Sequence, residues 1–344
     1  MSLNAVLADI NIYGSITYLV LGTIGCLLNV LVFTRRSLRS TTCITYLLGT
    51  SIVDLISLCA ATIPTIFRGL GRSITANSPV LCKLQFFILS TGFTLSAWFR
   101  VCTSIDRFLT SCRSIQYRNL STKKISYRTT VLMIILAIPT WCQTFYCFDA
   151  NLKPPTPCFT MNDQCKLVNN ILLIIIQSFG PVIIMIVFSL LTLQNVRNVG
   201  SLVVPTVSSS ASSSRIRTKD RQLITMLLFQ ITLFAASTVL IPLYNFYTYS
   251  TQNAIKSVYR LTVENFIFQL FVFLALTPYA TTFYLYTMSG RIFRDELRKV
   301  FIKLCGKIGL QVAQSVESTA THLVTQSTRH VQPTRSNIQT TRAL

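Results

Sequence analysis

VLCKLQFFILSTGFTLSAWFRVCTSIDRFLT, residues 80–110, is a long apolar run with Cys82 near one end and the doublet Asp106-Arg107 near the other. It exceeds the ~20 mostly apolar residues needed to cross ~30 Å of hydrocarbon. Charge at membrane depth is expensive unless it faces protein or water, so Asp106 and Arg107 are functional candidates by position alone. Six more runs of the same kind lie near 12–34, 43–66, 129–148, 168–194, 222–248 and 259–288. Composition agrees, because 51% of the 344 residues are hydrophobic and only 12% are charged, unlike a soluble domain. The expected fold is an all-α membrane protein, a seven-transmembrane helix bundle with a short amphipathic eighth helix.

The net charge of +21 raises the question of nucleic acid, and the positions of the basic residues answer it. Arg35, Arg36 and Arg39 follow the first run, Arg107 to Arg128 the third, and Arg197 to Arg221 the fifth, while a further set spans Arg291 to Arg342. These segments all lie on one side of a seven-span chain. The asymmetry is the positive-inside pattern, which predicts the N-terminus outside and the C-terminus in the cytoplasm. Topology and attraction to anionic lipid account for the basic excess, so no nucleic-acid partner is expected.

The expected layout is a short extracellular N-terminus over 1–11, the seven-span domain over 12–288, a membrane-surface helix over 289–305 and a disordered cytoplasmic tail over 306–344. Eleven outer residues are too few for a folded ligand-binding domain, so a ligand must meet the helices and loops. Residues 208–214 read Ser-Ser-Ser-Ala-Ser-Ser-Ser, a flexible stretch in the third inner loop. After Ser289-Gly290, residues Ile292, Phe293, Leu297, Val300, Phe301 and Leu304 recur at helical spacing with basic residues between them, as in a helix lying on the inner leaflet. Cys305 follows it and is a candidate palmitoylation site, an unmodified cytosolic thiol being the alternative. The Ser/Thr-rich remainder has little with which to form a core.

Seven spans, Cys82 opening the third and Asp106-Arg107 closing it together resemble the rhodopsin-like (class A) G-protein-coupled receptors, in a divergent and peptide-receptor-like form. The resemblance runs from about residue 12 to Cys305. It implies that Asp106 holds Arg107 at rest and that Arg107 reaches the G protein when the helices part. Phe108 departs from the family's tyrosine but leaves the ionic part intact. Gln222 stands where many relatives carry an acidic partner for the arginine, which implies elevated basal signalling.

In the family the cysteine opening the third helix pairs with one in the second outer loop. That loop carries Cys147, Cys158 and Cys165, and Lys153-Pro154-Pro155 reads as a turn between strands over 146–151 and 156–161. Cys158 is the expected partner of Cys82, with Cys165 the alternative; the two left over either bond together or stay free. Asn29, Asp54 and Ser96 match the family's intramembrane polar positions, where Asp54 and Ser96 would hold sodium. Arg100, one turn inward of Ser96, takes a place usually apolar, so an Asp54–Arg100 pair is expected to replace that ion.

The sixth span reads Leu240-Ile241-Pro242 without the family's tryptophan, and the seventh reads Thr277-Pro278-Tyr279-Ala280-Thr281. Pro242 and Pro278 would bend their helices as in the family, but the rest of the activation switch differs. Leu89 stands where amine receptors carry an aspartate, and Phe271 where an opsin needs lysine, so a biogenic amine and retinal are disfavoured. Glu264, Lys166 and Arg260 near the outer rim are either ligand contacts or solvated charge.

The resemblance implies a plasma-membrane receptor transducing an extracellular ligand, a neuropeptide by preference, to a heterotrimeric G protein. Arrestin and a receptor kinase would act through the Ser/Thr tail. The alternative is a multi-pass transporter or channel, but the chain shows neither paired half-repeats nor a polar filter. No enzyme motif is visible, the only histidines are His322 and His330, and no cofactor is expected.

Overall fold

A bilayer offers the backbone no water, so each crossing segment must bond to itself, and the seven apolar runs fold as helices. The computed structural model describes residues 3–35, 38, 41–150, 158–201, 228–251, 254–289 and 293–302. Helix 1 spans Ala5–Phe33, helix 2 Cys43–Gly69, helix 3 Pro79–Ser111 and helix 4 Lys123–Cys147. Helix 5 spans Asp163–Val196, helix 6 Leu228–Ser250 and helix 7 Val258–Met288. Residues 208–214, Lys153-Pro154-Pro155, Gln222, Cys305 and the 306–344 tail lie outside the described residues.

Two compact units divide the chain, Met1–Arg294 and Asp295–Leu344. The first holds all seven helices. Residues 293–302 are helical, where the surface helix was expected, and Lys299 pairs with Glu296 at 2.8 Å in the second unit. One boundary differs from the expectation. Helical structure begins at Leu3, so residues assigned to a separate N-terminal segment belong to the first helical column. Ile10–Gly14 form a π-type turn that keeps this column continuous.

Helix 3 sits at the centre, packing against helices 2, 4 and 5, while helix 1 lies between helices 2 and 7. Local chemistry sets its start: Ser78 accepts from the Leu81 amide at 3.5 Å, and Pro79 fills the first turn. Small residues then let the helices approach. A Cβ on Gly92 would stand 2.0 Å from Ser57 Oγ, and one on Gly22 would stand 2.3 Å from Leu58 Cδ2. Helix 2 ends on Gly71 at φ +75°, with Arg72 N bonding Phe67 O at 2.9 Å and Gly71 N bonding Arg68 O at 3.0 Å.

Prolines inside the helices leave carbonyls without an intrahelical donor. At two of them a neighbouring helix supplies the missing donor. Pro64 frees Ala60 O, which accepts from Gln85 Nε2 of helix 3 at 3.3 Å. Pro242 frees Thr238 O, which accepts from Ser178 Oγ of helix 5 at 3.3 Å. The π-type stretch Leu173–Phe179 likewise leaves Ile176 O to the indole of Trp98 at 3.0 Å.

Over the Cys82 end lies a small antiparallel hairpin of strands Phe148–Asp149 and Phe159–Thr160, in the register Phe148↔Thr160 and Asp149↔Phe159. It is shorter than the sequence suggested, because Tyr146 and Cys147 close a helical turn, Thr144–Cys147, instead of opening a strand. Disulfides join Cys82 to Cys158 and Cys147 to Cys165, and Phe148 stacks on Phe86 with ring centroids 4.3 Å apart. Peptide mapping of the unreduced protein should recover these two cross-links, 82 with 158 and 147 with 165. A peptide joining Cys82 to Cys165 would contradict the pairing.

Candidate functional site

Helix 3 carries functional candidates at both ends and its middle. Between Cys82 and Arg107 the helical rise amounts to ~38 Å, more than the ~30 Å hydrocarbon thickness. The two residues therefore belong to opposite faces of the bundle.

At the Arg107 end, Arg107 Nη2 donates to Asp106 Oδ2 at 3.0 Å, and both side chains are buried. Asp106 is held from a second side by Ser121, whose Oγ donates to Oδ1 at 2.5 Å. Ser121 follows the short helix Ile115–Leu120, and its carbonyl accepts from Thr42 Oγ1 at 3.3 Å, which ties the doublet to the start of helix 2. Phe108, the residue that departs from the family pattern, packs edge to face on Phe188 of helix 5 at 5.4 Å. Asn195 of helix 5 donates to Ser111 at 3.2 Å one turn further on.

At mid-depth, Asp54 of helix 2 and Arg100 of helix 3 form a salt bridge at 2.7 Å, with side chains 0% and 2% exposed. Ser96 completes the group: Arg100 Nη1 donates to its Oγ, which donates to Asp54 Oδ1. The guanidinium lies 5.3 Å from the Phe234 ring and 5.1 Å from the Tyr279 ring. Aromatic faces attract a cation, the more so where water is excluded. A buried ion pair is costly unless its remaining hydrogen-bonding groups are satisfied, and here Ser96 and the rings meet most of that need. Asn29 is buried as well, but no hydrogen bond joins it to Asp54 among the described residues, and its Oδ1 lacks a partner.

Near the Cys82 face, helices 6 and 7 flank an open cavity of about 500 Å³ lined by Leu243, Tyr244, Tyr247, Arg260, Glu264 and Phe271 among others. Glu264 is neutralised there. It takes Lys256 at 2.8 Å, Arg260 at 3.0 Å and the Tyr247 hydroxyl at 2.9 Å. A basic ligand group would therefore compete with two fixed cations for the one carboxylate.

Pro242 and Pro278 lie in helices 6 and 7 as expected. Sequence reasoning missed Phe234 and Tyr279 as the aromatic partners of Arg100, the Tyr286–Gln230 bond at 2.8 Å that joins helices 7 and 6, and Lys256. Tyr279 carried a signal, since it directly follows Pro278 in a helix that had to face the charge. Gln230 carried a weaker one, as an uncharged polar residue close to the start of an apolar run.

Comparison with known proteins agrees with this geometry. The family described as 7 transmembrane receptor (rhodopsin family) matches residues 25–281, most of the chain. The protein belongs to that family: it is a multi-pass signalling receptor of the plasma membrane and not an enzyme. No match is found among curated proteins.

The family's sodium site does not fit the residues present. Both Asp54 oxygens are engaged, Ser96 serves Asp54 and Arg100 at once, and a guanidinium already supplies the positive charge. At the outer cluster, Glu264→Gln should lower the melting temperature of the purified protein by roughly 2–4 °C, since it removes the negative charge that balances two cations and turns one acceptor oxygen into a donor. Arg260→Gln should lower it less, because that side chain is 43% exposed. Equal losses in a thermal melt would count against this ranking.

Proposed function

We propose that the chain converts binding of an extracellular ligand, a neuropeptide by preference, into nucleotide exchange on a cytosolic heterotrimeric G protein. The supporting observation is the buried Asp106–Arg107 pair at one end of helix 3, with the disulfide-held hairpin at the other. Helix 3 joins the hairpin face to the Arg107 face and so links the two ends that a signal must connect. The basic residues around the Arg107 end support, by the positive-inside rule, an orientation with that face in the cytoplasm and the N-terminus outside.

The ligand meets the hairpin face. Glu264 in the helix 6–7 cavity is already paired with two cations, and Leu89 of helix 3 stands where an amine receptor carries its aspartate, which favours a peptide over an amine. Ligand binding shifts a population, favouring the arrangement in which the Arg107 end is open. Arg107 then leaves Asp106 for the G protein, with Pro242 and Pro278 as the bends about which helices 6 and 7 move. The helix over 293–302 lies on the inner leaflet with Cys305 as its acyl anchor. The Ser/Thr tail serves a receptor kinase and arrestin.

Cells carrying G-protein activation sensors test the proposal, with a pooled peptide library as the stimulus. Arg107→Ala should abolish the response at equal surface expression, and a response equal to wild type would refute the assigned role. Asp106→Asn should raise unstimulated activity about fivefold for each ~1 kcal/mol by which the closed state is weakened. Unchanged basal activity would show that the pair does not hold the closed state.

A further inference from the structure

Helix 3 brings its own cation to the centre of the bundle. Arg100 contacts four helices: its own through Ser96, helix 2 through Asp54, helix 6 through Phe234 and helix 7 through Tyr279. We propose that Arg100 is a tethered cation that takes the place of a diffusible one and clamps helices 2, 3, 6 and 7 in a single arrangement. Bundle stability is then insensitive to sodium, and separating Phe234 or Tyr279 from the guanidinium is part of any rearrangement of helix 6 or helix 7.

Three observations carry this. The carboxylate has no oxygen to spare, since Arg100 takes Oδ2 and Ser96 takes Oδ1. A second cation at contact distance would meet the guanidinium charge with little screening by bulk solvent, because Arg100 is 2% exposed. The aromatic arms also stand beside the helix bends. Tyr279 is next to Pro278, Phe234 lies two turns before Pro242, and the two rings meet edge to face at 6.5 Å. Around them, Leu58, Ala97, Val101, Met185 and Ile231 form the apolar wall of the same cluster. A diffusible ion can leave when the helices shift. A tethered one cannot, so its charge must be passed between partners.

The test needs neither ligand nor G protein, so its outcome is independent of the signalling role proposed above. The purified full-length protein in detergent is melted in sodium chloride and in N-methylglucamine chloride at equal ionic strength. Wild type should melt at the same temperature in both. Arg100→Leu and Arg100→Gln, which leave Asp54 without its cation, should melt lower in N-methylglucamine and recover roughly 2–4 °C in sodium. Adding Asp54→Asn should remove that recovery. Two variants are made because the neutral amide of Arg100→Gln keeps some hydrogen bonding if Arg100→Leu fails to accumulate. A wild-type melt that rises with sodium and loses the rise in Asp54→Asn overturns the proposal, as does an absence of sodium response in both Arg100 variants. For the aromatic arm, Phe234→Leu should cost less melting temperature in the Arg100→Gln background than in wild type. Equal losses would remove helix 6 from the clamp.

Discussion

Asp54 and Arg100 meet buried from bulk solvent, and the arrangement of the helices around them follows from that. A charge pair in such a place gives little stability over a well-packed apolar core, but removing one partner is severe, because the other is left buried and unpaired. The pair therefore acts by restricting arrangements. Helix 2 must turn Asp54 inward, helix 3 must turn Ser96 and Arg100 to the same side, and helices 6 and 7 must present ring faces. The rotation of four helices is set by one guanidinium. Helix 1 needs no charge to find its place, because Gly22 lets it lie against Leu58 and Ala280.

The two faces of the bundle are held by different chemistry. At the Cys82 face two disulfides pin a hairpin of two two-residue strands to helices 3, 4 and 5, while the Glu264 cluster joins helices 6 and 7 by ion pairs. The Arg107 face is held by exchangeable contacts: the ion pair, the Ser121 hydroxyl, the Asn195 amide and the Tyr286–Gln230 bond. Hydrogen bonds of this kind can be traded for others at small net cost, while a disulfide cannot. Helices 3, 4 and 5 are thereby cross-linked at the Cys82 face, and their freedom to rearrange is greater at the Arg107 face.

The seven spans were legible because length and apolarity leave few alternatives in a bilayer, and the Asp54–Arg100 pair because an intramembrane charge demands a partner. Cys82 with Cys158 came from the family resemblance, not from spacing. Helix limits were harder. Helix 1 reaches back before residue 12 and helix 4 starts at Lys123, since apolarity marks the hydrocarbon and not the polar turns that continue beyond it. Tyr146 and Cys147 read as strand, but the end of helix 4 extends its turn through them. Phe234, Tyr279 and Ser121 are contacts between segments distant in sequence, and a pattern of apolar positions cannot say which aromatic residue faces which charge.

The proline-freed carbonyls also have a consequence for how such a sequence can change over time. Ser178 answers the bend at Pro242, and Gln85 answers the bend at Pro64. Losing a proline alone returns its carbonyl to the helix and strands the neighbour's donor; losing the donor alone strands the carbonyl. Either single step leaves a polar group unsatisfied in a medium without water. Positions 178 and 242, and positions 85 and 64, are thus expected to drift as pairs across related genes, with the bend inherited by two helices together and belonging to neither alone.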